Sequence, residues 1–481
     1  MPVQTLKKIK FREAFQNLYR AEKEFGFYDL SYNGIPLWIY PRENASFFMN
    51  GVTSFPEQAF AFLRIRPINL LRRCARFFIG LNKIFGNDII IFVNERHLQW
   101  SEKENNFYNQ YAELVLEGGV YKKALIFEFP TSMTTKYKKT KYKKYLPLDL
   151  IIAIKRILSP CFLFFYPKIN REFYQKIKKA NLWQEKDIKK ILRFSAMQAY
   201  GIKYYGIFLR LIKLLNPKAK LIYSCMAGYD KFPEVIEIQH GVIGDYHCQY
   251  IYPLVPQIKE YLQNKKIIVF SDKIKKLLTD NGYLAENVEV RPNPKIYFYF
   301  LKNVKKDFFK QVSEKKEIVI IGGFGGNIQE TLKNFILNIE KNKEKFENWD
   351  VSIVLHPSEK NVYKNLRLKK VQVFENQEVS LWEMLCNAVC IASVCSTVME
   401  EATYFGCFEI IIPNKDLEDQ ENAIEWLCGD YHYKTIVSSD DFPKWFKDNE
   451  EKIINHWKQK KEIMKKNYNY FQNYKKDEKN Y

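Results

Sequence analysis

Between residues 317 and 413 the chain reads as a regular alternation of short apolar runs and helical stretches, and this pattern restricts the fold more than any other feature. EIVIIGG (317–323), VSIVLHP (351–357), VQVF (371–374), VCIAS (389–393) and FEIIIP (408–413) are apolar, mostly β-branched runs, several closed by Gly or Pro. Helical sequence lies among them at 329–341, in SLWEMLCNA and in STVMEEATYFG. Strands apolar on both faces and interleaved with helices are what a parallel, doubly wound sheet requires. The rhythm begins upstream with IIVF (267–270), the helix SDKIKKLLTDNGY with Ser271 as N-cap and Gly282 as C-cap, and VEVRPNP (288–294). Further back, ALIFEF (124–129), KLIYSC (220–225) and VIEIQ (235–239) read as buried strands and 184–216 as a helix. Nine residues separate KLIYSC from VIEIQ, too few for a full crossover helix. In the first third, residues 1–30 read as helical. GIPLWIYPRENASFF (34–48) reads as a turn into a short aromatic strand, and NDIIIFVNERHLQW (87–100) carries the apolar run Ile89 to Phe92, bounded by turn formers, as a buried strand.

A chain of 481 residues exceeds one ordinary core. Two α/β domains are expected, 1–304 and 305–441, divided in the Lys-rich stretch YFYFLKNVKKDFFKQVSEKK. They are followed by a basic, aromatic-rich tail, 442–481, helical to about Asn467. The hydrophobic share of 47% excludes wholesale disorder. The 76 Lys and Arg outnumber the 55 Asp and Glu by 21, which implies an anionic partner: nucleic acid, acidic lipid or a phosphorylated small molecule. The nine cysteines include no Cys-x-x-Cys pair, and Cys386, Cys390 and Cys395 have helical spacing, so they read as reduced core residues of a cytoplasmic protein. The N-terminus lacks a signal peptide's apolar stretch, and the apolar region Leu146 to Tyr166 is broken by Asp149, Lys155, Arg156 and Pro160. Neither export nor a membrane span is expected.

Four segments carry candidate chemistry. In SVCSTVMEEATYFG a strand ends at Ser393 and a helix begins near Ser396 and Thr397, so hydroxyls and backbone N–H groups face the carboxyl end of the sheet, where open α/β sheets bind ligands. Glu401, one turn on, is placed to accept from a ribose. The plain alternative is an N-capped helix with Ser396 or Thr397 pairing with Glu400. In VLHPSE, His356 leaves a buried strand that Pro357 ends, set to donate to a phosphate or base, or else held structurally. IGGFGGN places Gly322, Gly323, Gly325 and Gly326 between a strand and a helix, without the Gly-Lys-Ser/Thr ending of a Walker loop. VIEIQHGVIGDYHCQY runs from a strand into Gln239, His240 and Gly241, then Asp245 and His247. A general base would sit in such a loop, which the histidines alternatively only stabilise.

Taken in order, Gln239-His240-Gly241, Gly322 to Gly326, His356-Pro357 and Ser396-Thr397 with Glu401-Ala402 resemble the GT-B glycosyltransferases of bacterial capsule and lipooligosaccharide synthesis, including His-Pro-motif sialyltransferases and Kdo transferases. The resemblance spans about 220–415, and the earlier residues match only through WIYPR (38–42). It implies an α/β, GT-B-like fold of two Rossmann-like domains facing across a cleft. The donor nucleotide would lie on the C-terminal domain, with His356 at its phosphate or base, Ser396 and Thr397 at phosphate and Glu401 at ribose. His240 would lie near the reacting sugar as the first candidate for catalytic base, with Asp245 and Glu237 poorer ones. It implies no metal and no cofactor beyond the nucleotide sugar, with a cytidine (CMP-linked) donor slightly favoured and a lipid-linked or oligosaccharide acceptor.

Other readings stay open: a CDP-glycerol-type polyol-phosphate transferase, a basic nucleic-acid-binding protein, or a non-catalytic assembly partner. Against nucleic acid stand the absence of a binding motif and the predominance of Lys over Arg. The excess positive charge then points to peripheral attachment to an anionic inner-membrane surface, through the Lys/Tyr tract TTKYKKTKYKKY (134–145) and the tail.

Overall fold

The computed structural model describes residues 11–32, 35–49, 75, 77–94, 98–101, 106–109, 111, 123–129, 145–148, 167–224, 232, 235–239, 243, 247–303, 316–323, 326–356, 359, 363, 366–375, 381–394, 396, 398–413 and 434–478. They belong to two compact units that divide between Lys295 and Ile296. The division expected after residue 304 thus falls earlier, in the first turn of the helix Pro294–Asn303. That helix is drawn into the second unit by its aromatic face: Tyr299 packs on Trp382 and Phe405, and Phe300 on Phe405 and Phe471.

In the first unit, β1 (Ser31–Tyr32) and β2 (Ile35–Pro36) form a small antiparallel pair, as do β4 (Leu98–Ser101) and β5 (Asn106–Asn109). The main strands are β3 (Ile89–Asn94), β6 (Ala124–Phe129), β7 (Tyr145–Pro147), β8 (Lys220–Ser224), β9 (Val235–Ile238), β10 (Ile267–Val269) and β11 (Val288–Val290). They make one wholly parallel sheet in the order β11-β10-β9-β8-β3-β6-β7. The chain starts at β3, winds outward through β6 and β7, then returns to β8 and winds the other way, the doubly wound plan. Ile90 and Phe92 of β3 face one core with Phe127 and Phe208, while Ile89, Ile91 and Val93 face another with Tyr111 and Ile126. This two-sided burial is why the strand reads as continuously apolar. β8 and β9 pair directly despite their short connection.

The buried strand expected at Ile89–Phe92 is β3, which runs on to Asn94, and the same segment carries β4 in a different sheet. One expectation for this unit needs correction. The aromatic strand expected within 34–48 is a 3-10 turn, Leu37–Ile39, followed by the helix Arg42–Met49. Trp38 Nε1 and Arg42 Nε both donate to Glu22 Oε1, at 2.6 and 2.5 Å. An extended path would separate their backbones by about 13 Å, whereas a helical path lets both side chains reach one carboxylate.

In the second unit, β12 (Glu317–Ile321), β13 (Asp350–Val354), β14 (Val371–Phe374), β15 (Cys390–Ser393), β16 (Phe408–Ile411) and β17 (Lys434–Ile436) form a second parallel sheet, ordered β14-β13-β12-β15-β16-β17. In local numbering this is 3-2-1-4-5-6, the order of dinucleotide-binding α/β sheets. The parallel, doubly wound sheet expected from the strand pattern is therefore present in each unit, and with it the two Rossmann-like α/β domains that the resemblance implies.

The residues set apart as a tail complete this second core. The helix Phe442–Glu478 continues well beyond Asn467 and buries a stripe containing Phe442, Phe446, Ile453, Met464 and Phe471. Its start is capped reciprocally: Ser438 Oγ donates to Asp441 Oδ2 at 2.6 Å and accepts the Asp441 N–H at 3.1 Å. Lys460, fully buried, extends Nζ to the carbonyls of Leu385 and Ala388 at 2.7 and 2.6 Å, capping the helix Leu381–Asn387 with a positive charge. Cys248, Cys386, Cys390 and Cys407 are buried free thiols, as expected of core residues, and burial pushes the Cys386 thiol up to about 12. Cys395 lies outside the described residues. Among the described residues no helix is long and apolar enough to cross a membrane.

Candidate functional site

The winding of the second sheet reverses between β12 and β15, and a crevice outside the carboxyl ends at such a point is the usual ligand position of an open α/β sheet. Three of the sequence segments converge on this edge. β12 runs into Gly322 and Gly323, its neighbour β13 into Leu355 and His356, and β15 ends at Ser393 ahead of Ser396 and the helix Val398–Tyr404. Ser393 Oγ donates to the Ile321 carbonyl at 3.2 Å, tying the ends of β15 and β12 together across the reversal.

The glycines serve a different purpose from the one their position suggests. The Gly322 N–H continues the ladder to the Val354 carbonyl at 2.9 Å, and the Gly323 N–H is held by the carboxylate of Glu359. Neither amide is left to cradle a phosphate in the way expected of a glycine-rich loop. What demands glycine is close approach: a Cβ on Gly322 would overlap both the Glu359 carboxylate and the His356 backbone nitrogen, and one on Gly323 would overlap Ile328. Gly326 starts the helix Gly326–Lys341, and Gly325 lies outside the described residues.

Glu359, which the sequence did not single out, is the organising residue of this edge. It is fully buried. Its Oε2 accepts the His356 N–H at 2.7 Å, its Oε1 accepts from Tyr363 Oη at 3.3 Å, and its own N–H closes a turn onto the His356 carbonyl at 2.8 Å. The sequence places Pro357 within that turn, itself outside the described residues. Burial pushes the Glu359 carboxyl above its usual range, opposed by the hydrogen bonds from His356, Gly323 and Tyr363. Burial likewise lowers the pKa of His356, which is half-buried at the mouth of this turn. Its imidazole is therefore neutral near pH 7, with one N–H to donate and one nitrogen to accept.

On the β15 side the plain capping reading of Ser396 holds. Its Oγ accepts the Val398 N–H at 3.3 Å and its carbonyl accepts the Met399 N–H at 3.1 Å. Thr397 lies outside the described residues, and Glu401, offered as a ribose acceptor, is 3% exposed.

The remaining sequence candidates lie in the first unit, beyond β9. Gln239 is fully buried, and its Oε1 accepts the Phe270 N–H at 2.9 Å, joining the ends of β9 and β10. His240, Gly241 and Asp245 lie outside the described residues. His247 is engaged in its own turn: its Nδ1 accepts the Gln249 N–H at 3.3 Å and its carbonyl accepts from Tyr250 and Ile251. Glu237 is bound by Tyr250 Oη at 2.6 Å and Lys265 Nζ at 2.8 Å, both away from solvent, and so is poorly placed as a free base.

The turn 247–252 is held from behind by Arg42, the last residue of WIYPR. The guanidinium is 1% exposed and pairs with Glu22 through two nitrogens, at 2.5 and 2.9 Å. It also donates to the carbonyls of Cys248 and Ile251 at 2.5 and 2.6 Å, and lies over the Tyr252 ring at 4.7 Å. Contacts across such a sequence separation leave no local signal beyond an arginine in an aromatic segment.

No family model matches the chain, and no curated protein matches it in sequence. Solved structures do resemble it. UDP-GlcNAc 2-epimerase from Neisseria meningitidis bound to UDP-GlcNAc matches 78% of this chain and 93% of its own length at 15% identity and a TM-score of 0.43. The wall teichoic acid polymerase TagF matches 89% of this chain and 99% of its own at 10% identity and a TM-score of 0.42. The UDP-forming α,α-trehalose-phosphate synthase from Burkholderia vietnamiensis matches 81% and 98% at 9% identity and a TM-score of 0.41. These scores are too low to carry an activity to this chain.

Proposed function

We propose that the chain is a glycosyltransferase of the GT-B type that takes its sugar from a nucleotide-activated donor and passes it to a capsule or lipooligosaccharide acceptor. The observation that carries this reading is the convergence of the Gly322-Gly323 end of β12, His356 after β13 and the β15 to Ser396 segment at the strand-order reversal of a 3-2-1-4-5-6 sheet. In this reading the nucleotide part of the donor binds there, and the neutral His356 imidazole donates to a phosphate oxygen. As the glycosidic bond breaks, negative charge grows on that phosphate, and a donor already held in place stabilises it without having to reorganise.

The acceptor hydroxyl must lose a proton, and we assign that task to His240, which lies two residues after β9 in sequence. The proposal includes metal independence and a preference for a cytidine nucleotide. Its test is transfer of radiolabel from CMP-, CDP-, UDP- and GDP-linked donors, with His356→Ala and His240→Ala alongside. The expected result is transfer from one nucleotide-sugar class, undiminished by EDTA and lost in both variants. Transfer of a polyol phosphate from CDP-glycerol instead would replace the sugar reading, and silence with every donor would end both.

A further inference from the structure

Two neighbouring segments of the first unit hold six of the eleven large hydrophobic side chains that stand exposed among the described residues. Phe78, Ile79 and Phe85 belong to the stretch 77–87, and Ile207, Leu211 and Leu214 to the helix Glu185–Leu215; they are between 38% and 78% exposed. The segments lie side by side. Phe77 packs against Phe208 with ring centroids 5.7 Å apart, and Asn216 Nδ2 donates to the carbonyls of Ile84 and Asn87 at 2.9 and 2.7 Å. The helix already buries Tyr205, Phe208, Leu209 and Ile212 in the core. The stripe 207, 211, 214 is thus a second apolar face, at the i, i+4, i+7 spacing of one helix side, where a helix that met only water would carry polar residues.

The border of this face is cationic. Among the described residues there, Lys83, Arg210, Lys218 and Lys220 are exposed and Lys213 is half-buried, against one carboxylate, Asp88. An apolar centre inside a ring of lysines matches the layering of an anionic bilayer, where acyl chains take the side chains and headgroup phosphates meet the cations. A second copy of the chain across a two-fold axis would instead oppose like charges.

We propose that this face is the surface by which the protein docks on an anionic membrane. It replaces the helix Phe442–Glu478 in that role, because that helix spends its apolar stripe on its own core and carries Asp448, Glu450, Glu451 and Glu462 among its lysines. The inference does not depend on the donor reading, since the assay contains no donor.

The test is co-sedimentation of the full chain with phosphatidylcholine vesicles made with and without phosphatidylglycerol. Binding is expected only with phosphatidylglycerol. Phe85→Ser with Leu214→Ser should weaken it about tenfold or more through lost apolar burial. Lys218→Glu with Lys220→Glu should abolish the phosphatidylglycerol dependence. Both variants should keep the parental melting temperature, because the altered side chains are exposed. The proposal is overturned if the parent ignores both vesicles, if the serine variant binds like the parent, or if the parent sediments as a dimer that the serine variant dissociates, which would assign the face to a second copy.

Discussion

Replacing Glu359 by alanine would remove the acceptor that the buried N–H groups of Gly323 and His356 share. An orphaned buried donor costs about 1–3 kcal/mol, so two cost about 2–6 kcal/mol. Glu359→Gln keeps one oxygen for those amides and can turn its NH2 toward Tyr363 Oη, so its cost near neutral pH should stay close to about 1 kcal/mol. The pH dependence separates a carboxylate held in place from a side chain that merely fills space. Burial raises the folded-state pKa of Glu359. A carboxyl raised on folding gives its full stabilisation below the unfolded pKa, about 4.3 for Glu, and loses it as the pH climbs through the folded value. The parent should therefore lose stability relative to Glu359→Gln as the pH rises out of the acid range, and then hold a constant offset. Urea unfolding followed by circular dichroism across that range measures both quantities. An alanine cost below about 1 kcal/mol, or a parent-to-glutamine difference that does not change with pH, would refute the account of this turn.

Other outcomes follow from the same contacts. Gly322→Ala should cost about 1–3 kcal/mol by forcing a methyl onto the Glu359 carboxylate, measured by the same unfolding assay. Arg42→Met should cost about 3–5 kcal/mol by leaving Glu22 charged and buried, and should speed hydrogen exchange in the turn 247–252. If His356 meets a phosphate, its lowered pKa must rise on binding. Nucleotide affinity should then grow as the pH falls through the raised bound-state pKa, by at most about tenfold per pH unit. Calorimetry in buffers of different ionisation heat should detect proton uptake in the parent and none in His356→Asn.

The second sheet was legible because four of its six strands, β12, β13, β15 and β16, are buried on both faces and so read as short apolar runs, while the edge strand β14 was marked by Val371, Val373 and Phe374. Its sixth strand, β17, was missed: it is three residues long, and Ile436 is 46% exposed, so neither length nor burial marks it. Residues 34–48 read as strand because aromatic residues favour strands, whereas Trp38 and Arg42 are there to reach Glu22. In the candidate site the strand ends were found by position. Their internal chemistry was not, because the partner that makes Gly322 necessary is an acidic residue in a turn after the next strand. Glycines at a strand end without a phosphate-binding pattern were the available signal for such a partner.

The buried Lys460 bears on the order in which the molecule can be made. The first unit has its whole sheet once the chain has passed Val290, whereas the second lacks a closed core even when β17 is complete. Phe442, Phe446 and Ile453 must arrive to cover the sheet, and Lys460 must arrive to satisfy the carbonyls of Leu385 and Ala388. During synthesis the first unit can therefore fold while the six strands of the second wait, partly uncovered, for a helix that follows all of them. Its exposed Ile-rich strands in that interval are where a chaperone would be needed most.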